Sequence, residues 1–311
     1  MNEIENENDK ITEYAYAKVN LLLDATDKRP DGYHNLNSVL VPLNIYDTIT
    51  IEKADQMSYS CDDESLPFDS SNTVVKAVKL MKKTFHIKDN YRITVNKAIP
   101  MQAGLGGGSS DAAAVMRGIL KLSNIETELP YLQMLALEIG ADVPACLAKK
   151  CTLVSGIGQV KERLDRRFDL IFLLIKPEQG ISTKLVYENL NLETCAHPCL
   201  ETFMNEWRRG NADGVLKQCG NSLEDSTFQL VEGLADLKQE LLDCGFPCVN
   251  MCGSGTTIFA TGKSMSETLE IAEKFKGRYP FVQVTTTYPA PLSPSAKARH
   301  DFVRRFLGYD I

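Results

Sequence analysis

Pro100-Met101-Gln102-Ala103-Gly104-Leu105-Gly106-Gly107-Gly108-Ser109-Ser110-Asp111-Ala112-Ala113 is the stretch that decides the fold. Period-two alternation at 91–96 leads into it as a strand, and helical spacing carries on to about residue 122. Glycine lets a backbone approach an anion closely and turns successive N–H groups into one concavity. The N-terminus of the following helix adds unpaired N–H donors and partial positive charge. Together these favour a polyphosphate. The loop is not a Walker A motif, because no Gly-Lys-Ser/Thr follows. Nor is it the dinucleotide fingerprint, because Ser109 stands where spacing from Gly104 requires glycine. A plain turn has little use for Gly106, Gly107 and Gly108 in succession, since glycine weakens both helix and strand. Ser109 or Ser110 is expected to cap the helix.

Strands are expected upstream at 14–24, 36–44 and 47–52, and a helix at 73–84 with Asn72 as its cap. Downstream, helices are expected at 129–139 and 144–147, and strands at 152–155 and 170–175. The stretch 183–242 reads as mostly helical. Strands at 249–251 and 257–260 flank a Gly-Ser-Gly turn, followed by a helix at 264–275 and a strand at 282–287. The mixture is α+β in two domains, 13–160 and 161–311, behind a solvated tail at 1–12 that is rich in Asn and Glu.

The 311 residues carry 34 Lys+Arg against 41 Asp+Glu, a formal charge of −7. That acidic balance argues against a general nucleic-acid binder, which needs a basic excess to neutralise phosphates. A small anionic ligand needs only local positive charge. The longest apolar run, 168–175, is broken by Asp169 and is far short of the roughly 20 residues a spanning helix needs. No membrane association is expected, and the N-terminus lacks the apolar core of a signal peptide. Nine cysteines, an odd number scattered through the chain, read as reduced thiols of a cytoplasmic protein.

Four further motifs could carry chemistry. In Ala17-Lys18-Val19-Asn20-Leu21, Lys18 and Asn20 share one strand face, either solvated or turned toward a substrate. Arg29-Pro30-Asp31-Gly32-Tyr33-His34 sets an aromatic and an imidazole after a tight turn. They are either a loop end or a stack and an edge contact for a planar base. In Gly140-Ala141-Asp142-Val143-Pro144, Asp142 lies at a helix start, as an N-cap or as a positioned base. Cys252-Gly253-Ser254-Gly255 is a hairpin turn or a second anion contact.

Taken in order along the chain, these motifs resemble the GHMP kinase superfamily, which includes galactokinase, homoserine kinase, mevalonate kinase and phosphomevalonate kinase. Within it they are similar to members acting on a cytidine diphosphate sugar alcohol. The resemblance implies a two-domain GHMP kinase fold with a central cleft, ATP on one side and the cytidylyl substrate on the other, and Mg²⁺ with the ATP. It implies that Asp142 takes or orients the proton of the acceptor hydroxyl and that Lys18 holds that carboxylate ionised by its nearby charge and orients the hydroxyl. Residues Pro100, Met101, Gln102, Ala103, Gly104, Leu105, Gly106, Gly107, Gly108, Ser109 and Ser110 would wrap the ATP phosphates, with Asn72 and Lys97 near the adenosine. Asn20 would contact the sugar alcohol, and Tyr33, His34 and Tyr187 the cytosine. No side chain is assigned to the metal. A kinase of another small alcohol, or a silent binding protein on the same fold, are the competing expectations. The chain departs from the family pattern at Tyr16, Gln159 and Cys252.

Overall fold

The computed structural model describes residues 9–288. The chain runs β1 (Lys10–Lys28), β2 (His34–Ala54), β3 (Ser58–Cys61), α1 (Thr73–Thr84), β4 (Asn90–Asn96), α2 (Gly107–Leu122), α3 (Leu129–Ala136), α4 (Val143–Ala148), β5 (Thr152–Gly156), β6 (Gln159–Arg163) and β7 (Ile171–Lys176). It continues α5 (Thr183–Glu188), α6 (Leu200–Arg209), α7 (Ala212–Lys217), β8 (Gly220–Asn221), α8 (Glu224–Leu230), α9 (Leu234–Asp243), β9 (Cys248–Met251), β10 (Ile258–Thr261), α10 (Met265–Phe275) and β11 (Phe281–Thr286).

Two sheets result. The first has the order β3-β4-β2-β1-β8, with β5 paired to the early part of β2 and β6 paired to β5. The second has the order β11-β7-β10-β9. β2 is the hub of the first sheet, pairing with β1, β4 and β5, and β1 lies between β2 and β8. Residues 17–23 are all buried, because β1 is flanked by β2 and β8 and covered on its faces. Val19, Leu21, Leu22, Val41 and Leu43 of the first sheet share one core with Phe172, Leu174 and Phe259 of the second. A separate core joins Ile49, Ile51, Ile93 and Val95 to the apolar faces of α1 and α2.

Local chemistry fixes the elements that matter for the cleft. Asn72 caps α1, its side chain accepting from Val74 N, and Val74, Val75, Val78 and Met81 form the buried face. Glu13 of β1 is buried and receives Arg117 and Lys121 of α2 and Lys149 after α4. Burial disfavours its charge, but Arg117, Lys121 and Lys149 more than offset this and bring the carboxyl down to about 2. This cluster anchors α2, which the glycine loop leads into, to β1.

Four sequence expectations change. The two strands at 36–44 and 47–52 are a single strand, β2, that bends across the sheet without a break. Strand β1 begins at Lys10, so the last three residues of the expected tail pair with β2, while residues 1–8 lie outside the described residues. The boundary drawn at 160 falls inside β6, and β8 from the later half pairs with β1. Finally, α2 begins at Gly107 with a left-handed Gly106 as its cap, rather than behind Ser109 or Ser110.

Candidate active site

A cleft of about 680 Å³ is lined by the glycine loop, β1, the start of α4 and the β9–β10 turn. Lys18 and Asn20 form its floor. Both are buried, so the strand face they share is internal rather than solvated. Lys18 Nζ lies 3.0 Å from Asp142 Oδ2 and donates to Asn20 Oδ1 at 3.0 Å. Asp142 begins α4 but makes no side-chain cap bond there, so its carboxylate is committed to Lys18 instead. Two residues 124 positions apart in sequence are thereby joined at one point of the cleft.

The loop is built on that floor. Lys18 N donates to Leu105 O at 2.9 Å, fastening loop to strand. Gly104 meets the β9–β10 turn so closely that a Cβ on it would lie 1.8 Å from Cys252 O. The Gly-Ser-Gly segment is thus both the β9–β10 turn and a wall of the cleft, with Gly253, Ser254 and Gly255 lining it. Thr73 Oγ1 donates to Gly108 O at 2.7 Å and ties α1 to the start of α2.

Under the loop, Lys97 is held between Asp47 and Asp111. Burial works against its charge, but the two carboxylates outweigh this and raise it to about 12. Burial lifts the Asp111 carboxyl above the usual carboxylate range; Lys97 opposes that and Asp47 adds to it. One ammonium between two buried carboxylates leaves one negative charge in excess. Asp111 Oδ1 has no hydrogen-bond partner although it is buried.

Of the residues expected at the site, Lys18, Asn20, Asn72, Lys97, residues 100–109, Asp142 and Tyr187 line this one cleft. Three expected residues do not. Ser110 points its hydroxyl away, to Tyr16 O at 2.6 Å, because the helix has already begun at Gly107. Tyr33 is 67% exposed and lies outside the cleft. His34 also does not line it, but its ring stacks on Tyr187, centroids 5.2 Å apart at 25°. Burial, then Lys28, lowers the His34 pKa. Burial, then Asp142, raises that of Tyr187, so its phenol stays neutral. Asn72 and Lys97 are already engaged, Asn72 with Val74 N and Pro67 O, Lys97 with its two carboxylates.

Sequence reading assigned no role to Ser38, Thr73, Asp111 and Thr183 among the cleft residues. Thr183 and Ser254 join hydroxyls at 2.8 Å across the cleft wall. Asp111 carried a signal, since it follows the glycine loop, and the turn holding Ser254 was already offered as a hairpin or second anion contact.

A Lys–Asp pair beneath a glycine loop at the start of a helix, in a two-sheet α+β frame, is the arrangement of a GHMP kinase. Residues 72–150 match the GHMP kinases N terminal domain. The chain is 36% identical over 275 residues to 4-diphosphocytidyl-2-C-methyl-D-erythritol kinase of Clostridium botulinum (strain Eklund 17B / Type B), covering 88% of this chain and 98% of that protein. It is 37% identical over 276 residues to the protein of the same name from Clostridium perfringens (strain ATCC 13124), covering 88% and 96%. Among solved structures, a 4-(cytidine 5'-diphospho)-2C-methyl-D-erythritol kinase superposes with a TM-score of 0.74 at 28% identity, covering 89% of this chain and 98% of that one. Homoserine kinase from Cytophaga hutchinsonii superposes with a TM-score of 0.70 at 20% identity, covering 92% and 98%, a likeness of fold. The chain belongs to the 4-diphosphocytidyl-2-C-methyl-D-erythritol kinase family of GHMP kinases. Among the described residues no helix is long and apolar enough to cross a membrane.

Proposed function

We propose that this chain transfers a phosphoryl group from ATP to the 2-hydroxyl of 4-diphosphocytidyl-2-C-methyl-D-erythritol, a step of non-mevalonate isoprenoid precursor biosynthesis, in the cytoplasm. The observation that carries the reading is the 3.0 Å contact of Lys18 with Asp142 on the cleft floor, directly below the glycine loop. Phosphoryl transfer depends on positioning and charge neutralisation more than on covalent chemistry. Asp142 receives the proton of the acceptor hydroxyl as the oxygen attacks. Lys18, fixed by Asn20 and Asp142, aims its remaining N–H at the reacting oxygens. The loop's N–H groups and the α2 N-terminus receive the ATP phosphates. Tyr187 and His34, with Tyr33 from the outer side, receive the cytosine.

The donor set fits a magnesium ion, since Asp111 offers an unpartnered buried carboxylate oxygen beside the loop. Asp111 would hold the ion together with the nucleotide's own phosphates, the way magnesium is usually bound. When bound it supplies charge neutralisation on the phosphates. The division into an ATP-binding domain and a C-terminal domain, with the cleft between, belongs to the same reading.

A coupled ADP-release assay with the diphosphocytidyl substrate, mevalonate and homoserine in parallel tests it. ADP release with the first alone is expected. Release with another alcohol instead would make the chain a kinase of different specificity, and release with none would favour a silent binding protein.

A further inference from the structure

We infer that Ser38 is a positioning residue for phosphoryl transfer, acting through Asn20 on Lys18. The inference rests on the reading that Lys18 and Asp142 serve the transfer. Ser38 lies on β2 opposite Leu23 of β1, is buried, and lines the cleft. A serine hydroxyl has one proton to donate. Here it goes to Leu22 O at 2.7 Å. With that proton committed, the Ser38 oxygen can only accept, and it accepts from Asn20 Nδ2 at 2.8 Å.

This sets the orientation of the Asn20 amide. Turned over, Asn20 would press its carbonyl oxygen against a Ser38 oxygen that has no proton left. It would also turn an NH₂ group toward the Lys18 ammonium, which can only donate. In the observed orientation Oδ1 faces Lys18 Nζ at 3.0 Å, and Lys18 reaches Asp142 at 3.0 Å. Ser38, Asn20 and Lys18 thus form one directed relay from the backbone of β1 to the carboxylate. Two of the three ammonium protons are occupied, and the third remains for the cleft.

Ser38→Ala removes the acceptor and leaves the Asn20 amide free to turn. Ser38→Thr keeps the hydroxyl and serves as the rescue. Ser38→Ala is expected to lower kcat about tenfold with KM for ATP within about twofold, a loss of about 1.4 kcal/mol in transition-state stabilisation. Ser38→Thr is expected to keep kcat within about twofold of the parent. In an Asn20→Ala background, adding Ser38→Ala should change kcat no further, because the intermediary is gone. An unchanged kcat in folded Ser38→Ala, or a tenfold loss that repeats in the Asn20→Ala background, would overturn the inference.

Acetylation of Lys18 by acetic anhydride, followed by mass spectrometry, reads the relay without turnover. The rate at Lys18 is expected to change at least about threefold in Ser38→Ala and to stay at the parent value in Ser38→Thr. An identical rate in all three proteins would contradict the relay whatever alcohol the enzyme accepts. A changed rate in a protein inactive on the diphosphocytidyl substrate would uphold the relay while rejecting the substrate.

Discussion

Gly106 sits over the shaft of Lys18, so that a Cβ on it would lie 2.8 Å from Lys18 Cε and 2.9 Å from Cγ. Gly106 is also left-handed, with φ of 73°. The glycine loop and the Lys18 side chain therefore share one van der Waals surface, and neither can be moved alone.

Gly106→Ala should expose this coupling. The left-handed backbone costs an alanine about 1–2 kcal/mol, which for a chain of this size lowers Tm by only a few degrees. The new methyl also pushes Lys18 off Asp142, so kcat should fall at least about tenfold, more than the stability loss explains. Melting curves and kcat measured on the same preparation separate the two effects. A kcat equal to the parent's would show that Lys18 does not depend on the loop above it.

The stacked pair His34 and Tyr187 gives a test of base recognition. Tyr187→Ala should raise KM for the cytidylyl substrate by about 1–3 kcal/mol equivalent, the range of a base–aromatic stack. KM for ATP should stay the same, since the glycine loop lies elsewhere in the cleft. Tyr33 is largely exposed, so Tyr33→Ala should leave Tm unaltered. A loss of kcat/KM in that variant, at unaltered Tm, marks Tyr33 as a base contact. Unaltered kcat/KM marks it as a loop end.

Glu13 makes the anchorage of α2 depend on pH. Its carboxyl falls to about 2 in the folded chain from an ordinary 4.5. The folded state therefore favours the ionised form, and the contribution, about 3 kcal/mol, is complete above pH 4.5 and is lost as pH falls toward 2. Glu13→Gln should be destabilised by about that amount at pH 7, with Arg117, Lys121 and Lys149 left uncompensated. Urea unfolding at pH 7 and at pH 3 checks the sign, because the gap between parent and variant should narrow at the lower pH. A gap of constant size would mean that the carboxylate charge is not what holds α2.

Much of this frame was legible because it rests on short-range rules. The α1 cap at Asn72 and the helix end at Thr84 follow from capping chemistry and apolar spacing alone. The glycine loop was legible as the link from a strand to a helix, but the start of α2 was not. The sequence offers Ser109 and Ser110 as caps, whereas Gly106 takes that place because only glycine tolerates its backbone and the lysine beneath it. Strands β3, β6 and β8 escaped notice because β3 and β6 are short and largely polar, and β8 is two residues long. The burial of Lys18 and Asn20 depends on elements far away in sequence, so alternation could name their shared face but not what covers it. Ser38 and Thr183 carry no local signal, since hydroxyl side chains on a strand or at a helix start are common.

The claim most in need of a direct test is that the Lys18–Asp142 pair carries the transfer. Asp142→Asn keeps the shape and removes the proton acceptor. Single-turnover phosphorylation of 4-diphosphocytidyl-2-C-methyl-D-erythritol with ATP in saturating amounts, alongside calorimetric binding of the cytidylyl substrate, measures chemistry and binding separately. The account predicts a rate lowered at least about a hundredfold, the lower end of a general base's usual contribution, with substrate affinity within about threefold of the parent. A single-turnover rate close to the parent's, in a variant that binds substrate normally, would contradict it.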